Sequence, residues 1–214
     1  VLGVFLLTAR PGGGSKLNFT PAILFAFFGF GMIFVGMVGN LLYAIDDLAL
    51  QGTVFDDATL IYIVYGSVLA IMGAVTHWAP KLWGRTLGSA KVVPLALLGV
   101  VGTVLAAFSM YIAAFLDQPA GISYLDDQLS LWNLLALVGH GLVGLTVLGF
   151  VLALLGAMRG SNDAGDDPWD GQTLEWATTS PAPRDNFVDV PVVQSAEPLL
   201  DLKTSLASND GSNA

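Results

Sequence analysis

Cysteine is absent from this 214-residue chain, and histidine occurs only twice. No disulfide framework can form, and no zinc or iron–sulfur centre can be held by thiolates. Charge is scarce too: 12% of the residues are Asp, Glu, Lys or Arg, where a soluble domain carries about 25%. The balance is acidic, with a formal net charge of −9 and no basic patch, which argues against a nucleic-acid partner. There is no phosphate loop, no hydrolase triad and no zinc-ligand spacing.

Against these absences stands a hydrophobic content of 54%, gathered into four segments. Roughly eighteen uncharged residues separate Asp56-Asp57 from His77-Trp78-Ala79-Pro80-Lys81, enough at about 1.5 Å per helical residue to cross most of a ~30 Å hydrocarbon layer. The pattern predicts an all-α membrane protein with spans at about 21–45, 58–78, 92–116 and 131–158. Thr20-Pro21 is a good helix start, an N-cap followed by proline in the first turn. Val1–Ala9 is apolar but too short to span, and reads as the last turns of a helix that begins outside this sequence.

Small residues recur on helix faces: Gly66, Ala70 and Gly73 on the second span, Gly99, Thr103 and Ala107 on the third, and Gly139, Gly141 and Gly144 on the fourth. They suit close helix approach. Lys and Arg fall in the Arg10–Lys16 loop, in the Lys81–Lys91 loop and at Arg159, while the two alternate loops carry only aspartates. By the positive-inside rule the tail is then cytoplasmic and the chain a multi-pass protein of the cell membrane. Residues 1–159 read as the transmembrane helical domain. Residues 160–193 read as an extended tail, rich in proline and aromatics, that packs on a partner. Residues 194–214 have the composition of a disordered acidic tail.

His77, beside Trp78 at the membrane edge, reads as part of an interfacial aromatic pair. His140 lies mid-span. A hydrogen bond to a neighbouring helix is the favoured reading, with haem or proton-relay duty as the alternative. Asp46/Asp47, Asp56/Asp57 and Asp126/Asp127 read as solvated loop ends, with an outward cation site as the alternative.

The tail segment PWDGQTLEWATTSPAPRDNF (168–187) resembles the stretch after the last transmembrane helix in subunit I of A-type haem–copper cytochrome c oxidases, of the form PW…TLEW…SPPP…NF. Ile23–Gly39 is similar to that subunit's ninth helix, and Ala70–Arg85 to the end of its tenth helix and the WFPK-x-x-GR turn. Leu131-Trp132-Asn133 is similar to the start of its twelfth. The resemblance covers about residues 1–190 and implies the C-terminal third of a twelve-helix subunit, a fragment or the product of a split gene. Other oxidase subunits, or the missing N-terminal portion, are then the implied partners beside the lipid bilayer. The family passes electrons from cytochrome c to oxygen and pumps protons, using haem and copper.

The family's tenth helix begins HDTY-[YF]-VVAHFHY, and the histidines of HFH ligate the haem irons. Here those places fall on Thr59 and Ile61 or, moved by one, on Ala58 and Leu60; the leading His-Asp falls on Gln51-Gly52. The family's PRRY arginines, which neutralise haem propionates, fall on Ala120 and Gly121 after Pro119. Neutral imidazole and planar guanidinium have no substitutes in these residue types. No catalytic, cofactor-binding or metal-ligating residue is therefore assigned, and the chain by itself is not expected to be catalytic. The resemblance implies a haem-less structural portion of an aerobic terminal oxidase. The rivals are an active portion whose ligands come from another chain and an unrelated membrane scaffold or transporter fragment.

Overall fold

The computed structural model describes residues 20–121, 127–160, 164–187 and 191–210. The segments 1–9 and Arg10–Lys16, together with Asp126, lie outside them. The described residues form α1 (Pro21–Tyr43), α2 (Phe55–Trp83), α3 (Ser89–Phe115), α4 (Asp127–Met158) and α5 (Pro198–Asp210), with 3-10 turns at Asp46–Leu48 and Leu174–Ala177. No named strand occurs among them; the chain is an all-α membrane protein. Helices α1 to α4 are each long and apolar enough to cross a membrane.

Local chemistry explains the ends. Thr20 caps α1, its Oγ1 accepting from Ile23 N at 3.4 Å, with Pro21 in the first turn. Helix α2 starts three residues before the apolar segment, because Asp56 and Asp57 complement the positive end of the helix dipole and belong to its first turn rather than to a loop. It also runs past residue 78, through Pro80 to Trp83, and its last turn is closed where Gly84 N donates to Pro80 O at 2.7 Å. Helix α4 likewise begins at Asp127, ahead of the apolar segment, and Leu129 there is buried in the core.

By its contacts the chain divides into two compact units: Val1–Thr76 with Gly88–Ala153, and His77–Leu87 with Leu154–Ala214. In the first unit, glycine permits backbone contact between helices. A Cβ added at Gly29 would lie 2.6 Å from Gly66 O, and one at Gly66 would lie 2.7 Å from Gly29 O. Gly139 meets α3 so closely that its added Cβ would be 2.2 Å from Ala106 N. Gly141 and Gly144 instead face open space, so the lean middle of α4 contains one packing glycine and two outward ones. Three threonine hydroxyls in the spans are satisfied within their own helices: those of Thr76, Thr103 and Thr146 each donate to the carbonyl four residues earlier.

In the second unit the tail folds back on its own chain. Trp176 stacks on Trp78 (centroids 5.6 Å, 14°), and Trp169 stacks on His77 (5.8 Å, 14°) while its Nε1 donates to His77 O at 2.9 Å. The surface under the proline- and aromatic-rich island is thus supplied by the end of α2, where a partner was expected. The segment expected to be disordered contains α5. Composition hid it: Leu199, Leu200 and Leu202 follow Pro198, and Leu199 is buried with its N donating to Gln172 O at 3.0 Å.

Candidate functional site

The positions where the resemblance places iron ligands sit near the start of α2. Ala58 is fully buried, whereas Leu60 is 58% exposed. Thr59 is 2% exposed, and its Oγ1 lies 3.0 Å from Tyr111 Oη on α3, a hydroxyl pair in which either can donate. Around it Tyr111 packs on Phe55 at 4.3 Å and on Tyr62 at 5.5 Å between ring centroids. A Cβ at Gly39 would lie 2.1 Å from Tyr111 Oη, so α1 closes over the same cluster. Ile61 packs partly buried against it.

The places of the family's His-Asp and Arg-Arg pairs are brought together although their chemistry is gone. Ala120 N donates to Gly52 O at 2.9 Å and Val54 N to Gln118 O at 3.0 Å, a short antiparallel bridge centred on Thr53 and Pro119. Gln51 Nε2 donates to Asp46 Oδ1 at 3.0 Å. Gly52 and Gly121 both take left-handed backbone, with φ of +78° and +73°.

His140 is hydrogen-bonded through Nδ1 to Tyr65 Oη on α2, 2.7 Å away, the helix-to-helix bond favoured for it. Its partner was not visible in the sequence: 75 positions separate the two residues, and Tyr65 lies within an ordinary apolar span. His140 also lines a cavity of about 610 Å³ in the first unit, with Asp57, Gln118 and Asn133 among its other polar walls. Gln118 Nε2 donates to Asn133 Oδ1 at 3.0 Å, while Gln118 Oε1 is buried and meets no donor among the described residues. Nothing in the residue order singled Gln118 out.

In the second unit Lys81 and Arg85 bind backbone carbonyls. Lys81 is 7% exposed; its Nζ donates to Asp166 O at 2.7 Å and Thr178 O at 2.5 Å and sits 5.5 Å from the centre of the Trp176 ring. Arg85 Nη1 donates to the carbonyls of Ala157 and Met158, the last turn of α4, where a cation suits the negative helix end. His77 contacts three tryptophans, Trp78, Trp169 and Trp176, a wider set than the interfacial pair expected. The motifs HWAPKLWGR and PWDGQTLEW, far apart in the chain, are two halves of one packed unit.

Fold and site define a helical integral-membrane protein whose ligand positions carry no imidazole. No protein-family model matches the sequence. Curated relatives do: cytochrome c oxidase subunit 1 of Thermostichus vulcanus is 28% identical over 84% of this chain and 33% of its own length. The subunit 1 of Alkalihalophilus pseudofirmus is 30% identical over 87% and 31%. The haem–copper oxidase subunit I+III of Aeropyrum pernix is 32% identical over 98% of this chain and 26% of its own. The chain is thus a relative of haem–copper oxidase subunit I, and spans about a third or less of the length of the relatives it matches.

The residues present do not fit a haem iron at these positions. Alanine, threonine, isoleucine and leucine offer no imidazole nitrogen. The space beside Thr59 is filled by Tyr111, Phe55 and Tyr62. Among the described residues no group of three or more His, Asp or Glu is placed to hold a metal ion.

Proposed function

We propose that this chain is a haem-less structural portion of a subunit-I-type oxidase assembly in the cell membrane, with its tail on the cytoplasmic side. The observation that carries the reading is the hydroxyl pair of Thr59 and Tyr111 near the start of α2, where the resemblance places iron ligands, with Ala120 and Gly121 in place of the arginines. Ligands and counter-charges are replaced together, as a site that no longer holds haem would have it. Other oxidase subunits, or a separate chain supplying the rest of subunit I, are its partners, and electron transfer to oxygen with proton pumping belongs to that assembly. Lys81, Arg85 and Arg159 at one end and the aspartate loops at the other support the orientation.

The rival in which another chain supplies the ligands would enlist His140. Its Nδ1 is committed to Tyr65, which favours a packing role. An unrelated scaffold or transporter is disfavoured by similarity that runs through both the spans and the tail.

The test is co-purification. A tagged chain, expressed in its own cells and solubilised in mild detergent, is expected to migrate on native gels with haem–copper oxidase subunits identified by mass spectrometry. Migration alone, with no oxidase subunit attached, would contradict the reading.

A further inference from the structure

Within the second unit, a groove of about 310 Å³ lies between the end of α2 and the tail. Helix α2 supplies Trp78 and Leu82, one turn apart. The tail supplies Leu174, Phe187 and two exposed polar residues, Glu175 and Asn186. Trp78 is 42% exposed and Leu82 58%, although both side chains are large and apolar.

Helix length sets the depth of this groove. The 29 residues of α2 reach about 43 Å at about 1.5 Å each. A bilayer has ~30 Å of hydrocarbon, and about 40–45 Å with its headgroups. The helix therefore outlasts the hydrocarbon. Its last turns, from Trp78 to Trp83, stand in the interfacial layer where tryptophan concentrates. Lipid is the medium that meets the exposed faces of Trp78 and Leu82.

Charge narrows the occupant. A cation in the groove would lie near the Lys81 ammonium, which already serves Asp166 O, Thr178 O and the Trp176 ring. An anion would lie near the Glu175 carboxylate. Neither sign of charge is favoured, whereas apolar surface is. We infer that the groove seats an acyl chain of a phospholipid from the leaflet at this end of α2, so that Leu174 and Phe187 hold the tail in the headgroup layer instead of in water. The tail is then an interfacial element in its own right. The inference rests on the membrane-crossing length of α2 and is independent of the haem reading.

The absence of native cysteine makes single-cysteine spin labels clean. Leu82→Cys, Phe187→Cys and, at an exposed position on α5, Thr204→Cys are labelled in the full chain and placed in phosphatidylcholine vesicles. Collisions with oxygen, which enters bilayers, are compared with those of a water-soluble nickel chelate. The oxygen-to-nickel ratio at Leu82 and Phe187 should be several-fold above that at Thr204. Ala182 also lines the groove, and Ala182→Phe should fill it. Native mass spectrometry after detergent washing should then count one phospholipid fewer per chain, with helicity unchanged. A ratio at Phe187 as low as at Thr204 would place the tail in water and overturn the inference. Labels at Leu82 and Phe187 that neither reagent reaches would mean that a second copy of the chain covers the groove, and would overturn it too. Equal phospholipid counts in parent and Ala182→Phe would do the same.

Discussion

Gly139 and Gly141 sit two positions apart on α4, yet substitutions at them should behave in opposite ways. A Cβ at Gly139 would lie 2.2 Å from Ala106 N, a backbone atom that cannot step aside, whereas nothing lies within 4 Å of one at Gly141. Gly139→Ala should destabilise by about 1–3 kcal/mol as α3 and α4 are forced apart. Gly141→Ala should stay within about 0.5 kcal/mol of the parent, or gain from helix propensity. Reversible unfolding in detergent, followed by circular dichroism, distinguishes them. At Thr59 and Tyr111 the matching test is Tyr111→Phe. It removes one hydroxyl of a pair 3.0 Å apart and leaves the ring packed on Phe55, so the loss should be about 1 kcal/mol. A change several-fold larger would mean the hydroxyl does more than pair with Thr59. Residue order could show that Thr59 and Ile61, or Ala58 and Leu60, were not histidine. It could not show that tyrosine from α3 had filled the space, because that contact spans 52 positions.

Among the elements, the tail and the end of α2 should loosen together. Lys81 gives two hydrogen bonds to tail carbonyls and its ammonium lies by the Trp176 ring, so Lys81→Met should leave Asp166 O and Thr178 O without that donor. Limited proteolysis should then cut within 164–187 at least several-fold faster than in the parent. Unchanged cutting would show that the remaining contacts, the tryptophan stacks and the Trp169–His77 hydrogen bond among them, hold the tail without Lys81. Helix α5 is fastened differently, by Lys203 Nζ at 2.6 Å from Asp167 Oδ2 and 2.7 Å from Asp170 Oδ1. The Lys203 hydrogen bond, and then its charge, hold the Asp170 carboxyl below the usual carboxylate range, while hydrogen bonds to Asp167 and then Asp170 push the Lys203 ammonium above the usual lysine range. A depressed carboxylate contributes stability above its unfolded pKa and loses it as pH falls through the folded value. A raised ammonium contributes below its unfolded pKa and loses it as pH rises through the folded value. The fastening is therefore complete at neutral pH and released by acid below the ordinary carboxylate range, or by strong base. Hydrogen exchange at Leu199–Ser205 should quicken on acidification in the parent and be fast at neutral pH in Lys203→Met. Composition foresaw none of this, because the acidic, low-complexity setting outweighed four leucines in the reading of 194–214. The four spans were plain from apolar length. Their true ends were not, since Asp56, Asp57 and the Pro80–Trp83 turn are polar or helix-breaking by type and helical only through capping and packing.

For the whole molecule, similarity to oxidase subunit I runs through spans and tail alike, over a chain that covers about a third or less of those relatives. The frame persists where the family's chemistry does not: Gly52 and Ala120 still meet backbone to backbone at 2.9 Å, at the places of the family's His-Asp and Arg-Arg pairs. The most direct test is haem stoichiometry by the pyridine haemochrome assay on the purified chain, alone and within any complex it forms. The account predicts no haem on the isolated chain, and in the complex the same haem content before and after His140→Leu. One haem per isolated chain, or haem lost from the complex on that substitution, would contradict it.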